Sequence, residues 1–501
     1  MEGAERQVKL RNLFAYGMGD IFGGGAFTLI GMFMMIFLTD TVGLSPIWAA
    51  LVFGVGRFWD AFADPLMGYI SDHTHSKFGK RRIFFLVGII PIVLTFIPLW
   101  TMPFNIGPSF IDQFKGFAYF LTMYMIFNTV YSMVMIPYCA LNAEMTRDYK
   151  VRTRLAAFRM GFSQFSSIFS GIAAPIIIAH YSGSEHGYLI MGITFGIIYA
   201  LPWFFIFMGT WELPDNYVEN KKGNIKDLFK NFGTIYRNKS FRAHLGMYIF
   251  AFSALDYIMA FLPYFMKYYI KRPDLLAFAT GSVWISQVIV LFIFVIIANK
   301  YGKGYAYRIG ALLWLISLFM VFTISPGASI TSVIMHFTFM GICLSPCYMI
   351  PWAVLPSVID VDELITSKQR SGTYAGAMTL LRKISQGLIV LPSIGIILSI
   401  IHYVPDHAQT PQVLFDLRIV FILVPLFLVA VGFLFALRFK ITPKTHAMLK
   451  SEIMRLRNGG EKENVEPVIK ETCETLTGLK YENLYDESNT YLKKRKKKIF
   501  A

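Results

Sequence analysis

The sequence predicts an all-α polytopic membrane protein with twelve transmembrane helices arranged as two parallel six-helix halves. Three observations carry that expectation. The 501 residues are 55% hydrophobic with a mean hydropathy of +0.52, too apolar for a soluble globular chain of this size. Twelve apolar runs can be marked, several longer than the ~20 residues a spanning helix needs. The longest loop between them divides the runs six and six, and a weak internal repeat relates the two groups.

The runs lie near residues 13–38, 47–70, 83–102, 114–140, 155–179, 187–209, 243–266, 277–298, 309–325, 329–356, 371–400 and 413–437. Loops after even-numbered spans carry the cations: Lys77, Lys80, Arg81 and Arg82, then Arg147, Lys150, Arg152 and Arg154, then the basic 221–242 stretch, then Lys300, Lys303 and Arg308. Loops after odd-numbered spans hold few, chiefly Lys115 and the group Lys267, Lys271 and Arg272. Excess positive charge marks the cytoplasmic side, so both termini are expected there, in a multi-pass protein of the cell membrane. The net charge of +16 would suggest nucleic acid in a soluble chain. In short loops and a tail it has this simpler origin, and no nucleic-acid partner is expected. The segment after Arg11 reads as a full span rather than a cleavable signal. Cys139, Cys343, Cys347 and Cys473 form neither a disulfide framework nor a metal site.

The boundaries that follow are 1–210 for the first half, 211–242 for the central loop, 243–437 for the second half and 438–501 for a basic tail. Ile136-Pro-Tyr-Cys-Ala-Leu at the end of span four resembles Ile350-Pro-Trp-Ala-Val-Leu at the end of span ten. Phe158-Arg159-Met-Gly-Phe-Ser163-Gln164 is echoed by Leu381-Arg382-Lys383-Ile-Ser385-Gln386. Parallel six-span halves of this kind are the plan of the major facilitator superfamily. In the tail, residues 446–457 suit a short amphipathic helix on the membrane surface, while the mixed charge suits a solvated, unstructured end. The Lys493–Lys498 run would be drawn to anionic lipid.

The chemistry concentrates in span two, at Arg57-Phe-Trp-Asp60-Ala-Phe-Ala-Asp64-Pro65. Spacings of three and four put Arg57, Asp60 and Asp64 on one helical face. Ionisable groups at membrane depth are costly and must face protein or a water-filled cavity. An internal ion pair would satisfy Arg57 alone and leave one carboxylate seeking a cation. Arg159 and Lys383, inside spans five and eleven, supply further positive charge, and Asp256 in span seven is another intramembrane acid. Asp20 follows a glycine-rich start to span one that includes Gly24; close helix packing accounts for such glycines, and Asp20 suits a structural partner for a cation. Trp59, Tyr138, Tyr348 and Trp352 offer rings for stacking on a ligand, although most aromatics here serve packing.

Two chemistries fit the carboxylate pair. In a transporter, Asp60 and Asp64 ligate Na⁺ or take up a proton, and that charge controls which way a cavity opens. In an intramembrane prenyltransferase-like enzyme they would hold Mg²⁺ on a diphosphate. The enzyme expects a second acidic motif at the same depth. The nearest, Asp360-Val-Asp362-Glu363, falls in a loop by the span assignment. Nothing resembles a channel's repeated selectivity loop.

Tyr16-Gly-Met-Gly-Asp20, Thr39-Asp-Thr-Val-Gly-Leu44, Trp59-Asp-Ala-Phe-Ala-Asp-Pro65, Phe78-Gly-Lys-Arg-Arg82, Ile136-Pro137 and Tyr374-Ala-Gly376 resemble the glycoside–pentoside–hexuronide:cation symporters, the melibiose-carrier branch of the major facilitator superfamily. The resemblance covers roughly residues 10–440 and excludes the tail. It implies that Asp60 and Asp64 are cation-site carboxylates, Lys383 a coupling lysine and Arg159 a sugar contact, with Tyr348 in the pocket. Gly24, Met135 and Cys139 stand where the melibiose carrier has a sugar-binding Asp, a third cation-site Asp and a pocket Trp. The expected activity is cation-coupled symport of a sugar, glycoside or uronide by a monomer in the lipid bilayer, with Na⁺ or H⁺ as coupling ion and no other cofactor. Sodium-dependent lysophospholipid symport is the alternative. The expected cation-binding residues are Asp60 and Asp64, with Arg57 and Lys383 as coupling residues. Arg159, Gly24, Tyr348, Tyr138, Trp352 and Asp256 are the expected substrate contacts. Arg159 has no acid in its own span, so its partner is Asp20, Asp256 or the substrate itself, and a ligand bearing negative charge, such as a uronide or a phosphate, is expected over a neutral galactoside.

Overall fold

The computed structural model describes residues 7–146, 148–181, 183–213 and 233–490. Arg147, most of the basic central loop and the Lys493–Lys498 run lie outside them. Twelve long helices follow one another: α1 (Leu10–Met34), α2 (Pro46–His73), α3 (Arg82–Trp100), α4 (Phe110–Met145), α5 (Tyr149–His180), α6 (Glu185–Gly209), α7 (Lys239–Tyr269), α8 (Pro273–Tyr301), α9 (Lys303–Thr323), α10 (Ile330–Thr366), α11 (Ser371–Ile400) and α12 (Pro411–Arg438). Eleven of the twelve are long and apolar enough to cross a membrane by length and composition. The other is α2, whose 28 residues suffice in length but include Arg57, Asp60 and Asp64.

The packing repeats. α2 lies on α4 as α8 lies on α10, and α3 lies on α6 as α9 lies on α12. Between the two sets, α2 packs on α11 and α8 packs on α5. Outward-facing positions of α3 and α6 are apolar, among them Ile90, Leu94, Leu201 and Phe205, as a lipid-facing surface requires. Inside, aromatics interlock: Phe85, Tyr138 and Trp203 meet at ring distances of 5.4 to 6.4 Å.

Several helices depart from regular α geometry. α1 is interrupted after Gly17, passes into a π-helical turn at Ile30–Met34 and is followed by another at Phe37–Thr41. α7 ends in a π turn at Phe265–Tyr269, and α11 contains one at Ser385–Val390. Such turns rotate the residues beyond them to a different face. Here they carry Asp40, Lys267 and Gln386.

The Gly-Lys-Arg-Arg loop is a clamp. The backbone N–H groups of Lys80, Arg81 and Arg82 donate to the Glu212 carboxylate at 2.9, 2.9 and 2.8 Å. Arg81 pairs with Glu144 at 3.0 Å and also with Asp72. Gly79 has φ +101°, and a Cβ there would lie 2.4 Å from a Glu212 oxygen, so only glycine fits the turn.

Two expectations need correction. α10 runs to Thr366, so Asp360, Asp362 and Glu363 are helical. Each has a partner: Asp360 accepts from His446 at 2.7 Å, Asp362 from Arg370 at 2.6 Å, and Glu363 from Arg457. They are docking posts, which removes them as a second Mg²⁺ motif. The tail, in turn, is folded where described. α13 (Pro443–Arg457) and α14 (Pro467–Thr477) pack on each other and on the end of α10. Leu449, Ile453 and Leu456, spaced by four and three, are buried in the protein and not laid on a membrane surface.

Candidate functional site

A cavity of about 670 Å³ lies between the two sets of six helices. It starts at mid-depth beside Gly31, Met32 and Gln386. It continues to Asn142, Ala156 and Ala375, near the ends of α4, α5 and α11 on the face where α1 begins and α10 ends. The opposite end is closed by a cluster around Asp40. Lys267 stands 2.8 Å from Asp40 and 3.0 Å from Asp406, the hydroxyls of Tyr268 and Tyr403 donate to Asp40, and Thr39 meets Tyr264 at 2.8 Å. The π turn that follows α1 and the one that ends α7 bring these residues together across the two sets.

Among the described residues four cations line the cavity, and each has its own carboxylate. Arg57 Nη1 lies 2.9 Å from Asp60 Oδ2, one turn along α2. Lys383 Nζ of α11 lies 2.9 Å from Asp64 Oδ2, whose other oxygen accepts from Ser132 at 2.5 Å. Arg159 of α5 lies 3.2 Å from Asp20 of α1. Arg382 of α11 lies 3.2 Å from Asp256 of α7. Unpaired, any of these charges would be very costly at this depth; paired, they cancel.

Among the expected site residues, Gly24, Arg57, Arg159, Asp256, Tyr348, Trp352 and Lys383 line the cavity. Asp60 and Asp64 stand behind their cations. Tyr138 does not reach the cavity: it is fully buried, donates to the Tyr16 carbonyl at 2.7 Å and lies beneath the Arg159 guanidinium. Trp59 donates to Thr129 at 2.7 Å on α4. Gly24 is a packing glycine, since a Cβ there would lie 2.5 Å from the Ser163 carbonyl, and an acid at this position would push α5 away. Of the three partners open to Arg159, Asp20 is the one it meets.

Arg382, Tyr248, Trp284, Gln164 and Gln386 also line the cavity and were not singled out from sequence. The internal repeat carried the signal for Arg382, since it aligns that residue with Arg159. Gly387 has a further role. A Cβ on it would lie 2.0 Å from Arg57 Cγ, so the Arg57 side chain crosses from α2 over the bare backbone of α11.

Among the described residues, Asp60 Oδ1 and Arg57 Nε are buried without a hydrogen-bond partner. Among the described residues no group of three His, Cys, Asp or Glu gathers as a metal site. Two carboxylates and a serine hydroxyl are hard oxygen donors of the kind that suit a monovalent cation or a proton.

Paired helix sets around a mid-depth polar cavity, closed at one end and approached from the other, define a multi-pass transporter and not an enzyme. The chain belongs to the MFS/sugar transport protein family, which it matches over residues 15–443, the glycoside–pentoside–hexuronide:cation symporters. It is 27% identical to a putative sulfoquinovose importer of Salmonella typhimurium, over 91% of this chain and 94% of the relative. It is 26% identical to the putative glycoside/cation symporter YagG of Escherichia coli, over 90% of this chain and 96% of the relative. A D-xylose-proton symporter of known structure is similar in fold, with a TM-score of 0.58 and 16% identity over 84% of this chain and 97% of that one.

Proposed function

We propose that the protein moves a sugar or glycoside across the cell membrane together with Na⁺ or H⁺, which binds at Asp60 and Asp64. The observation that carries this is the 2.9 Å ion pair between Lys383 and Asp64, which joins α11 to α2 beside the cavity. A cation arriving at Asp64 competes with Lys383 for the same oxygen. It thereby loosens the joint between the two sets of helices, and a freed Lys383 faces the substrate. Cation and substrate each raise the other's affinity by this linkage. The basic loops support cytoplasmic termini, and in that orientation the cavity opens inward and the Asp40 cluster is the closed outer end.

Counterflow in proteoliposomes with a panel of glycosides and lysophosphatidylcholine, with and without Na⁺, tests the proposal. Glycoside accumulation that follows an imposed Na⁺ or pH gradient supports it. Movement of the lysolipid alone replaces the substrate class, and uptake indifferent to both gradients removes the coupling. Epitope tags after Pro467 and in loop 221–242 should both be protected in sealed cells; surface labelling of either inverts the orientation.

A further inference from the structure

A second cleft, of about 220 Å³, lies where the tail joins the helix bundle, apart from the central cavity. Its walls are the end of α8, Lys303 at the start of α9, Val354 and Ser357 of α10, and the stretch leading from Phe439 into α13. α8 ends at Tyr301 and α12 at Arg438, so the cleft sits at the level where spans give way to lipid headgroups. The root of the tail closes on it: a Cβ on Gly302 would lie 3.1 Å from Pro443, and one on Gly304 would lie 3.1 Å from Phe439.

Positive charge converges here without an answering acid. Both α9 and α13 start at the cleft, and neither has an acidic residue in its first turn. Unpaired N–H groups make the start of a helix partly positive, which disfavours a lysine there. Lys303 is nevertheless the first residue of α9, and it is half-buried. Its ammonium donates to the Ala353 carbonyl at 2.7 Å and, among the described residues, forms no ion pair. Each of the four cations of the central cavity, by contrast, has a carboxylate. Asp360 stands beside the cleft but is engaged by His446 at 2.7 Å and by Lys450 at 3.7 Å.

Ser357 is an independent sign. It is only 7% exposed, it lines the cleft, and its hydroxyl has no hydrogen-bond partner among the described residues. Buried polar groups are almost always paired, so a free hydroxyl facing a cleft marks a place for a ligand. It stands one turn beyond Ala353, whose carbonyl holds Lys303.

We propose that this cleft binds a phosphate group, that of an anionic phospholipid, with Lys303 as the cation and the Ser357 hydroxyl as a donor. The open N–H groups at the start of α9 suit the remaining phosphate oxygens. Val354, Phe439 and Ile441 form an apolar flank for the lipid beyond its headgroup. A bound lipid touches α9, α10 and the root of α13 together, and so holds the tail in place. None of this depends on what the central cavity carries.

The test uses full-length protein in phosphatidylcholine vesicles, with or without one lipid in five replaced by phosphatidylglycerol. Native mass spectrometry counts the lipid retained, and alkylation of Cys473 at about pH 9, located by peptide mass, follows tail docking. Wild type is expected to retain phosphatidylglycerol over phosphatidylcholine and to label severalfold more slowly in its presence. Lys303→Gln should weaken retention about tenfold to a hundredfold, as loss of a charged hydrogen bond does, and Ser357→Ala about fivefold. Lys303→Arg keeps the charge and should restore most of the retention, which separates binding from misfolding. Lys300→Gln, on an exposed neighbour outside the cleft, should leave retention unchanged. Inorganic phosphate added to phosphatidylcholine vesicles distinguishes the source. Protection of Cys473 by it that Lys303→Gln abolishes, without retained phosphatidylglycerol, supports the phosphate site with a soluble occupant. Equal losses in Lys300→Gln and Lys303→Gln make the attraction diffuse and overturn the site. Equal retention of the two lipids by wild type, or retention indifferent to both Lys303 and Ser357, overturns it as well.

Discussion

α2 and α8 hold corresponding places, yet only α2 is charged at mid-depth. It carries Arg57, Asp60 and Asp64, whereas α8 has no charged residue from Leu276 to Asn299. The seams they make differ accordingly. α2 meets α11 through Lys383 on Asp64 and through Arg57 laid over Gly387. α8 meets α5 through a neutral hydrogen bond of 2.8 Å from the Thr280 hydroxyl to the Gly171 carbonyl. Charge interactions in a low-dielectric setting change by several kcal/mol when an ion joins or leaves, and a neutral hydrogen bond does not respond in that way. A duplicated fold thus supplies two matching walls, with Arg–Asp pairs on both. On the proposed coupling, cation control needs the symmetry broken at one seam only.

The strongest way to break that comparison is to remove the charge from α2 while keeping its shape. Asp64→Asn strands Lys383, and Asp60→Asn strands Arg57. Breaking a buried pair costs about 3–5 kcal/mol; Asp64 and Lys383 keep part of their solvent, so roughly 1–3 kcal/mol is expected there. Cation-driven accumulation should be lost in both variants, while gradient-free exchange survives on the proposed reading, in which neither aspartate touches the substrate. Normal accumulation by both would make the ionic seam structural.

A subtler disturbance is Gly387→Ala. The new Cβ would lie 2.0 Å from Arg57 Cγ, so Arg57 must leave Asp60 or α11 must shift. Overpacking of this kind costs about 1–3 kcal/mol, and the cation dependence of uptake should move by roughly tenfold. Gly171→Ala, at the neutral seam, would place its Cβ 3.4 Å from Trp284 and should leave the cation dependence unchanged. Equal effects at the two glycines would erase the proposed difference between the seams.

Much of this was legible in the sequence, and the rest failed for identifiable reasons. Period and hydropathy revealed the twelve helices, because burial and lipid exposure act on local segments. Spacing alone brought Arg57, Asp60 and Asp64 to one face. Pairings across the fold were not legible: Asp20 and Arg159 are 139 positions apart, and no periodicity links α1 to α5. Asp360, Asp362 and Glu363 looked like a loop because their partners, His446, Arg370 and Arg457, follow later in the chain. Leu449, Ile453 and Leu456 announced a helix but not what it would cover. Arg382 was visible through the repeat, yet its neighbour Lys383 drew the attention by resemblance.

Both seams must close together at the end where Asp40 gathers Lys267, Tyr268 and Tyr403, the outer end in the proposed orientation. Asp40→Asn keeps an acceptor but removes the charge that holds Lys267. A shift of about 1 kcal/mol, roughly fivefold in population toward an outward-open form, is expected. Spin labels on the outer ends of α1 and α7 should report a larger separation. An unchanged distance distribution would assign the outer closure to the aromatic packing.

The smallest effect is expected in the tail, which touches neither seam. Cys473 of α14 is fully buried, and burial pushes its thiol up to about 12. A thiol raised in the folded state stabilises docking fully below its free value of ~8.5. That contribution is lost as pH climbs toward the folded value, once undocking frees a thiolate. Alkylation of Cys473 should therefore be negligible at pH 7 and rise between about pH 8.5 and 12. Arg457→Gln removes the Glu363 contact. Since Arg457 is 51% exposed, it should cost no more than about 1 kcal/mol, raising Cys473 labelling severalfold while sugar uptake is unchanged. Uptake that falls in step with labelling would make the tail part of the transport cycle and add a third asymmetry, since it docks on α10 and, among the described residues, has no counterpart on α4.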